Sequence, residues 1–475
     1  MRILLLIHRY LAVAVGLLMA LWCLSGFVML YQPYPAFTSA ERLASLAPLQ
    51  LGECCQSGFL PRDEEMAGDF RIEMLNGRPV FREPGIVPMD LVSGTPLREL
   101  MQAEVLQVAA EYGARQGTMA TPQWLEQVSI DQWSVQTARR NQPAHRIALN
   151  DPAGTQLYIN GRNGEIFQQT TRSERILNWM GAIPHWLYPT FLRRNGPLWA
   201  QVVIWTSVVG TFLAATGLYV GIARLQRRKS DGALASPFRG WWYWHHIAGL
   251  VFGVLTLTWV FSGLLTMNPW GLLEGSGAGA RLRAQLAGQP AVAEVRQFLQ
   301  RLPTSLPAGE FVQLRAQPFG GQLYVMAYRA DGSALRLDAT GRPAPLAESA
   351  VQRAIARLGN AASPVELLQD GDAYYYAHKD TVELPVFRAV LSNAERTHLY
   401  ISPTSGDART VDRNGRRARW LERGLHGIDF PGLHGRPLWD VLVLLLLAGV
   451  TAVCITGTWM AFQRIGRDLR RLKGD

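Results

Sequence analysis

The chain has 475 residues, 48% of them hydrophobic and only 18% charged, which excludes a disordered or fibrous protein. Its 47 Lys and Arg against 37 Asp and Glu leave a formal charge of +10, open to a nucleic-acid or a membrane reading until the charge is located. Four cysteines, two of them adjacent (Cys54 and Cys55), form neither a disulfide framework nor a zinc spacing.

In chain order, residues 10–31 carry no charge and are long enough to cross the ~30 Å hydrocarbon layer as a helix. A secretory signal peptide is the alternative. The apolar run is about twice a typical signal-peptide core, however, and no clear small-x-small cleavage site follows, so we read a retained span. A polar segment comes next, in which Leu97, Met101, Val105, Val108 and Tyr112 recur at helical spacing. Strand-like runs follow near residues 147–149 and 157–159, broken by Asp151-Pro152 and Gly154. Uncharged stretches return at 200–222 and, after a short basic loop, at 243–267. In the second polar segment Leu346, Ala350, Ala354 and Leu358 predict a helix, with strands at 374–376, 386–390 and 399–401. Residues 441–462 form the fourth uncharged stretch.

A helix packed on an antiparallel sheet buries such a pattern most simply, so both polar segments are expected to be α+β, with a helix and about three strands occurring twice in each. The expected division is span 1–31, outer domain 32–196, span 197–222, loop 223–242, span 243–267, outer domain 268–437, span 438–462 and tail 463–475.

The charge then sorts by side. The segments before span one, between spans two and three and after span four hold twelve basic residues and three acidic ones, a net +9 of the chain's +10. Short, strongly basic segments stay in the cytosol, so both termini are read as cytosolic and both long segments as periplasmic, in a bacterial inner membrane. The basic excess is a topology signal, and nucleic acid drops out as a partner. The bilayer takes its place.

The chain is also written twice. His8, Ala12, Gly16, Trp22 and Ser25-Gly26 in span one recur as His245, Gly249, Gly253, Trp259 and Ser262-Gly263 in span three, at an offset of 237. Trp179 and His185 recur as Trp420 and His426 at an offset of 241. From Pro197-Leu198-Trp199 and Thr216-Gly217 to Pro437-Leu438-Trp439 and Thr456-Gly457 the offset is 240. Outside the spans, Leu157-Tyr158-Ile159 with Gly164-Glu165 matches Leu399-Tyr400-Ile401 with Gly406-Asp407. The fold class read from these patterns is four transmembrane helices in two pseudo-symmetric halves, with α+β outer domains.

On these motifs the chain resembles the PepSY-associated transmembrane helix family over essentially its whole length. Characterised relatives include inner-membrane ferric-siderophore reductases with two b-type haems, while other members have no assigned activity. The resemblance implies PepSY-like outer domains, two b-type haems and reduction of a ferric siderophore or another ferric chelate on the periplasmic side.

The histidines are the residues able to carry that chemistry. The stretches 10–31, 200–222, 243–267 and 441–462 contain no Asp, Glu, Lys or Arg, which argues against a proton or ion pathway. His8 and His245 are repeat equivalents at the cytosolic starts of spans one and three, and His185 and His426 at the periplasmic approach to spans two and four. If the halves pack about a two-fold axis normal to the membrane, each pair faces across it, and two imidazoles can fill both axial positions of a haem. His246 and His434 are the alternates. An interfacial histidine is, by itself, more ordinarily a polar residue at the headgroups. His145, His378 and His398 have no repeat partners and read as solvated surface. Arg9 and the Arg193-Arg194 pair suit haem propionates and interfacial anchoring equally. No C-x-x-C-H occurs, so the haem would be b-type, and the cytosolic loops are too short for a nicotinamide domain. The donor would then be a quinol or a membrane redox protein. The stretch 372–379 is an aromatic and basic candidate for touching the chelate, and a strand with one buried face is its plainer reading. Two rival readings remain: a non-enzymatic module whose outer domains bind a peptide or transporter partner, and a haem or metal carrier.

Overall fold

The computed structural model describes residues 2–61, 68–228, 231–358, 363–377, 382–433 and 435–472. Among them, four helices are long and apolar enough to cross a membrane. Span one is Arg2–Met29, span two Gly196–Ala223, span three Trp241–Thr266 and span four Leu438–Leu472. Span four runs beyond its expected end at 462 because no breaker intervenes and Arg464 Nε lies 3.0 Å from Asp468 Oδ2, one turn on.

The chain forms two compact units, one comprising Met1–Tyr34, Ser173–Glu274 and Gly415–Asp475, the other Pro35–Arg172 and Gly275–Asn414. In the first, spans two and four each pack against both one and three. Val15, Met19, Leu213, Val450 and Cys454 are buried together at the centre of the bundle. There Cys23 and Cys454 bring their sulfurs to 3.7 Å.

The first outer segment supplies β1 (Arg71–Leu75), β2 (Arg78–Arg82), β3 (Met89–Asp90), β4 (Gln123–Val128), β5 (Ala144–Ala148), β6 (Gln156–Asn160) and β7 (Ile166–Thr170). The loop between spans two and three holds a small hairpin, β8 (Gln226–Arg227) with β9 (Leu234–Ala235). The second outer segment supplies β10 (Gln313–Ala316), β11 (Tyr324–Tyr328), β12 (Ala334–Asp338), β13 (Glu366–Leu368), β14 (Val386–Val390), β15 (His398–Ile401) and β16 (Ala408–Val411).

These strands build a six-stranded antiparallel sheet, β12-β11-β10-β1-β2-β3, and two four-stranded sheets, β4-β5-β6-β7 and β13-β14-β15-β16. At the centre of the large sheet β1 pairs with β10, Glu73 opposite Gln313 and Ile72 opposite Leu314. The outer segments 32–196 and 268–437 therefore do not form self-contained domains; they share one sheet. Three short strands are too few to bury an apolar face alone, and six give a core of Phe70, Ile72, Phe81 and Val325 beneath Phe298 and Leu299 of helix Val292–Ser305.

The sheet β4-β5-β6-β7 carries helix Gln102–Arg115 through Val105, Ala109 and Tyr112, and the sheet β13-β14-β15-β16 carries Glu348–Arg357 through Val351, Ala354 and Ile355 together with Ala278–Ala287 through Leu282 and Leu286. Each sheet also buries the tyrosine of its repeat motif. Tyr158 donates to Asp131 (2.6 Å), which also pairs with Arg146 (3.2 Å). Tyr400 donates to Asp372 (2.8 Å), which pairs with Arg388 (3.3 Å). Asp372 explains why residues 374–376 are not the expected strand. Its carboxylate accepts the backbone N–H of Tyr374 and Tyr375 at 2.8 and 2.9 Å and folds the stretch into a turn. Tyr375 then stacks on Tyr400 with ring centres 4.9 Å apart. Of the stretch 372–379, the last two residues lie outside the described residues. Cys54 and Cys55 are disulfide-bonded to each other.

Candidate functional site

The membrane unit carries the four proposed ligand histidines in two groups. At one end of the bundle, His8 of span one lies over Gly217 of span two, where a Cβ would come within 2.5 Å of its ring. His245 of span three lies likewise over Gly457 of span four, at 3.0 Å. Only glycine leaves room for an imidazole edge that close to a neighbouring helix. Ser25 and Ser262, which meet the other two histidines, follow His8 and His245 by 17 residues, roughly 25 Å of helix at ~1.5 Å per residue. The two groups are thus held well apart along the bundle.

In the second group His185 closes the short helix Ala182–His185, and His426 lies in the one-turn helix Leu425–Gly427 that follows a π-helical turn, Arg419–Gly424. Two residues beyond each, Leu187 and Ile428 adopt left-handed backbone (φ 50° in both) and reverse the chain toward the next span. The His426 loop is closed by a buried ion pair, Arg419 Nη2 to Asp429 Oδ1 at 3.4 Å, with Arg419 Nη1 donating to the Asp429 carbonyl at 2.8 Å. Beside His185, Trp199 Nε1 donates to the Trp186 carbonyl (2.9 Å), and Arg193 lies over the rings of Tyr188 and Trp199. The rings of His185 and His426 have their centres 6.3 Å apart, at 59° to one another.

The hydrogen bonds fix which ring nitrogen is available. Ser25 Oγ donates its proton to the Trp22 carbonyl (3.0 Å), so toward His185 Nδ1 (3.2 Å) it is an acceptor; the Trp22 carbonyl lies 3.1 Å from the same nitrogen. Ser262, Trp259 and His426 repeat this at 3.0, 3.2 and 3.2 Å. Thr456 Oγ1 donates to the Ala452 carbonyl (2.6 Å) and therefore accepts from His245 Nδ1 (3.0 Å). His8 Nδ1 lies 3.2 Å from the Leu213 carbonyl, which can only accept. Each imidazole consequently holds its proton on Nδ1 and keeps the Nε2 lone pair, the tautomer a metal ligand needs. Burial and then the neighbouring His426 push His185 down to about 4, so it stays neutral near pH 7.

The ring separation of His185 and His426 fits two imidazoles on one metal ion. Two imidazoles sharing one metal at about 2.0 Å per nitrogen put their ring centres about 6 Å apart, the separation of His185 and His426. Among the described residues no group of three or more His, Cys, Asp or Glu gathers as a metal site; His185 and His426 meet as a pair.

The remaining histidines are placed differently. His246 is buried with both ring nitrogens engaged, Nδ1 with Ser236 Oγ and Nε2 with the Gly221 carbonyl, each at 2.8 Å. His434 and His378 lie outside the described residues. His145 and His398 are half-buried sheet residues rather than solvated ones: Trp124 donates to His145 at 3.3 Å, and His398 meets Tyr374 edge-on. The sequence reading missed the acceptor role of Ser25, Ser262 and Thr456. In the sequence their S-G and T-G motifs register only as repeat positions.

A family model of the PepSY-associated TM region matches residues 5–464. No curated protein matches the chain.

Proposed function

The chain belongs to the PepSY-associated transmembrane family, and from that membership and its paired histidines we propose that it is a two-haem electron conduit of the bacterial inner membrane, reducing ferric siderophores or other ferric chelates on the periplasmic side. The observation that carries this reading is the His185–His426 pair, 6.3 Å between ring centres with Nδ1 of each ring turned to a serine hydroxyl and a backbone carbonyl. In this reading His185 and His426 hold one b-type haem and His8 and His245 the other. Haem bound by two imidazoles supplies one-electron transfer with no open position for oxygen. Reduction releases iron because the hard oxygen donors of a siderophore match Fe(III) far better than Fe(II). The basic excess of the short segments supports cytosolic termini and periplasmic outer segments, and the sequence repeat supports halves related by a pseudo-two-fold axis. A quinol or a membrane redox protein would be the donor.

The test is the colour and stoichiometry of the purified protein. A detergent extract should show a six-coordinate b-haem spectrum at about two haems per chain, the number its two histidine pairs could ligate. His185→Ala and His426→Ala should each remove the same haem and leave the other. A folded, colourless protein would sink the reading and leave the partner-binding module, whereas loss of different haems would refute the pairing.

A further inference from the structure

The outer unit contains a second constellation that electron transfer does not use. Glu73, 1% exposed in β1, accepts from Arg42 Nη2 (2.7 Å) and Gln313 Nε2 (2.6 Å) and lies 3.1 Å from Arg82 Nε. Glu165 accepts from the same Arg42 nitrogen (3.0 Å) and from Arg71 Nη2 (2.7 Å). Three guanidinium groups thus surround two carboxylates, and the network is one negative charge short. A purely structural network in a sheet core is favoured when its charges and donors close on themselves, because buried charge left over is costly.

Donors are left over as well. Arg42 makes its ion pairs through Nη2, while its Nε is buried with no acceptor. Arg82, 5% exposed, spends Nη1 on the Asn163 carbonyl, and its Nε has no aligned acceptor despite the nearby Glu73. Arg42, Arg82 and both glutamates line a cleft open to solvent, and Phe37 and Val108 line the same cleft with apolar surface. Arg115 and Glu111, also in its lining, pair with each other at 3.7 Å and leave the excess unchanged.

We propose that this cleft binds a small monocarboxylate with an apolar body. The carboxylate supplies the missing charge and accepts from the unspent edges of Arg42 and Arg82, and the apolar part lies on Phe37 and Val108. One missing charge selects a monoanion over a phosphate dianion, and the apolar lining selects benzoate- or hexanoate-like ligands over a bare ion. The site does not depend on haem.

Equilibrium dialysis of the full chain in detergent, against protein-free micelles, tests it with benzoate and hexanoate as probes. Benzamide serves as the neutral isostere and inorganic phosphate as the dianion. Saturable uptake of one carboxylate per chain is expected, with no uptake of benzamide and weak competition by phosphate. Arg42→Gln should weaken binding at least tenfold. Val108→Trp fills the cleft without touching the ion network and should abolish binding, which keeps the test decisive if Arg42→Gln does not fold. Equal uptake of benzamide, displacement by phosphate at equal concentration, or binding that survives Val108→Trp would each overturn the proposal.

Discussion

At the scale of single residues, the two serines beside His185 and His426 would, in the proposed reading, tune the bound iron without touching it. Each hydroxyl gives its own proton to a backbone carbonyl and receives one from a histidine Nδ1. Such a bond makes the imidazole a stronger electron donor through Nε2, which stabilises ferric over ferrous iron. Ser25→Ala should therefore leave haem content intact and raise the midpoint potential of the outer haem, with Ser25→Thr returning it toward the starting value. Redox titration followed by absorbance reads this directly, and an unchanged potential in both Ser25→Ala and Ser262→Ala would end the assignment. The histidine pairs were legible in the sequence because the repeat offset carried His8 onto His245 and His185 onto His426. The serine role was not, since the direction of a hydroxyl's hydrogen bond depends on a carbonyl that only the folded helix presents.

At the scale of elements, the periodicities give the helices and most strands, and they fail where a side chain competes with the backbone. Residues 386–390 and 399–401 fall within β14 and β15 because β-branched and aromatic residues dominate them. Residues 374–376 have the same aromatic character but are folded into a turn by Asp372, whose carboxylate no periodicity registers. The pairing of β1 with β10 was equally hidden, because sequence pattern reports which face of a strand is buried and not which strand lies beside it. Its centre contains Glu73. Burial alone would raise this carboxyl, but Arg42, Arg82 and Arg71 outweigh burial and hold it at about 2, against 4.5 ordinarily. The unfolded chain then binds more protons between these values, so the contribution of Glu73 is complete above pH 4.5 and is lost as pH falls toward 2. That contribution is about 3 kcal/mol at ~1.4 kcal/mol per pH unit. Acid unfolding followed by circular dichroism should show the loss. Glu73→Gln should be less stable at neutral pH and lose less stability across that window than the parent chain, since Glu165 still titrates there; an equal loss in the variant would refute the linkage.

At the scale of the whole molecule, each repeat half is incomplete without the other. The six-stranded sheet takes three strands from each, and spans two and four pack against spans from both. A chain cut in the loop after Arg228 should consequently remain one particle, the untagged half following the tagged half through affinity and size-exclusion steps in mild detergent. Separation of the halves without denaturant would contradict the shared sheet. In the proposed function the two histidine groups act in series, the His8–His245 pair on the donor side and the His185–His426 pair on the acceptor side. The two sites then have separable roles. His8→Ala should lose one haem while the remaining haem is still reduced by dithionite, which needs no defined entry point. Reduction by a quinol supplied in the micelle should fall by at least tenfold, because the site nearer the donor is gone. His185→Ala should do the converse, keeping quinol reduction of the inner haem and losing transfer to a ferric chelate. Stopped-flow absorbance on the two variants distinguishes these outcomes; quinol reduction lost in His185→Ala and kept in His8→Ala would place the donor on the opposite side and invert the proposed orientation.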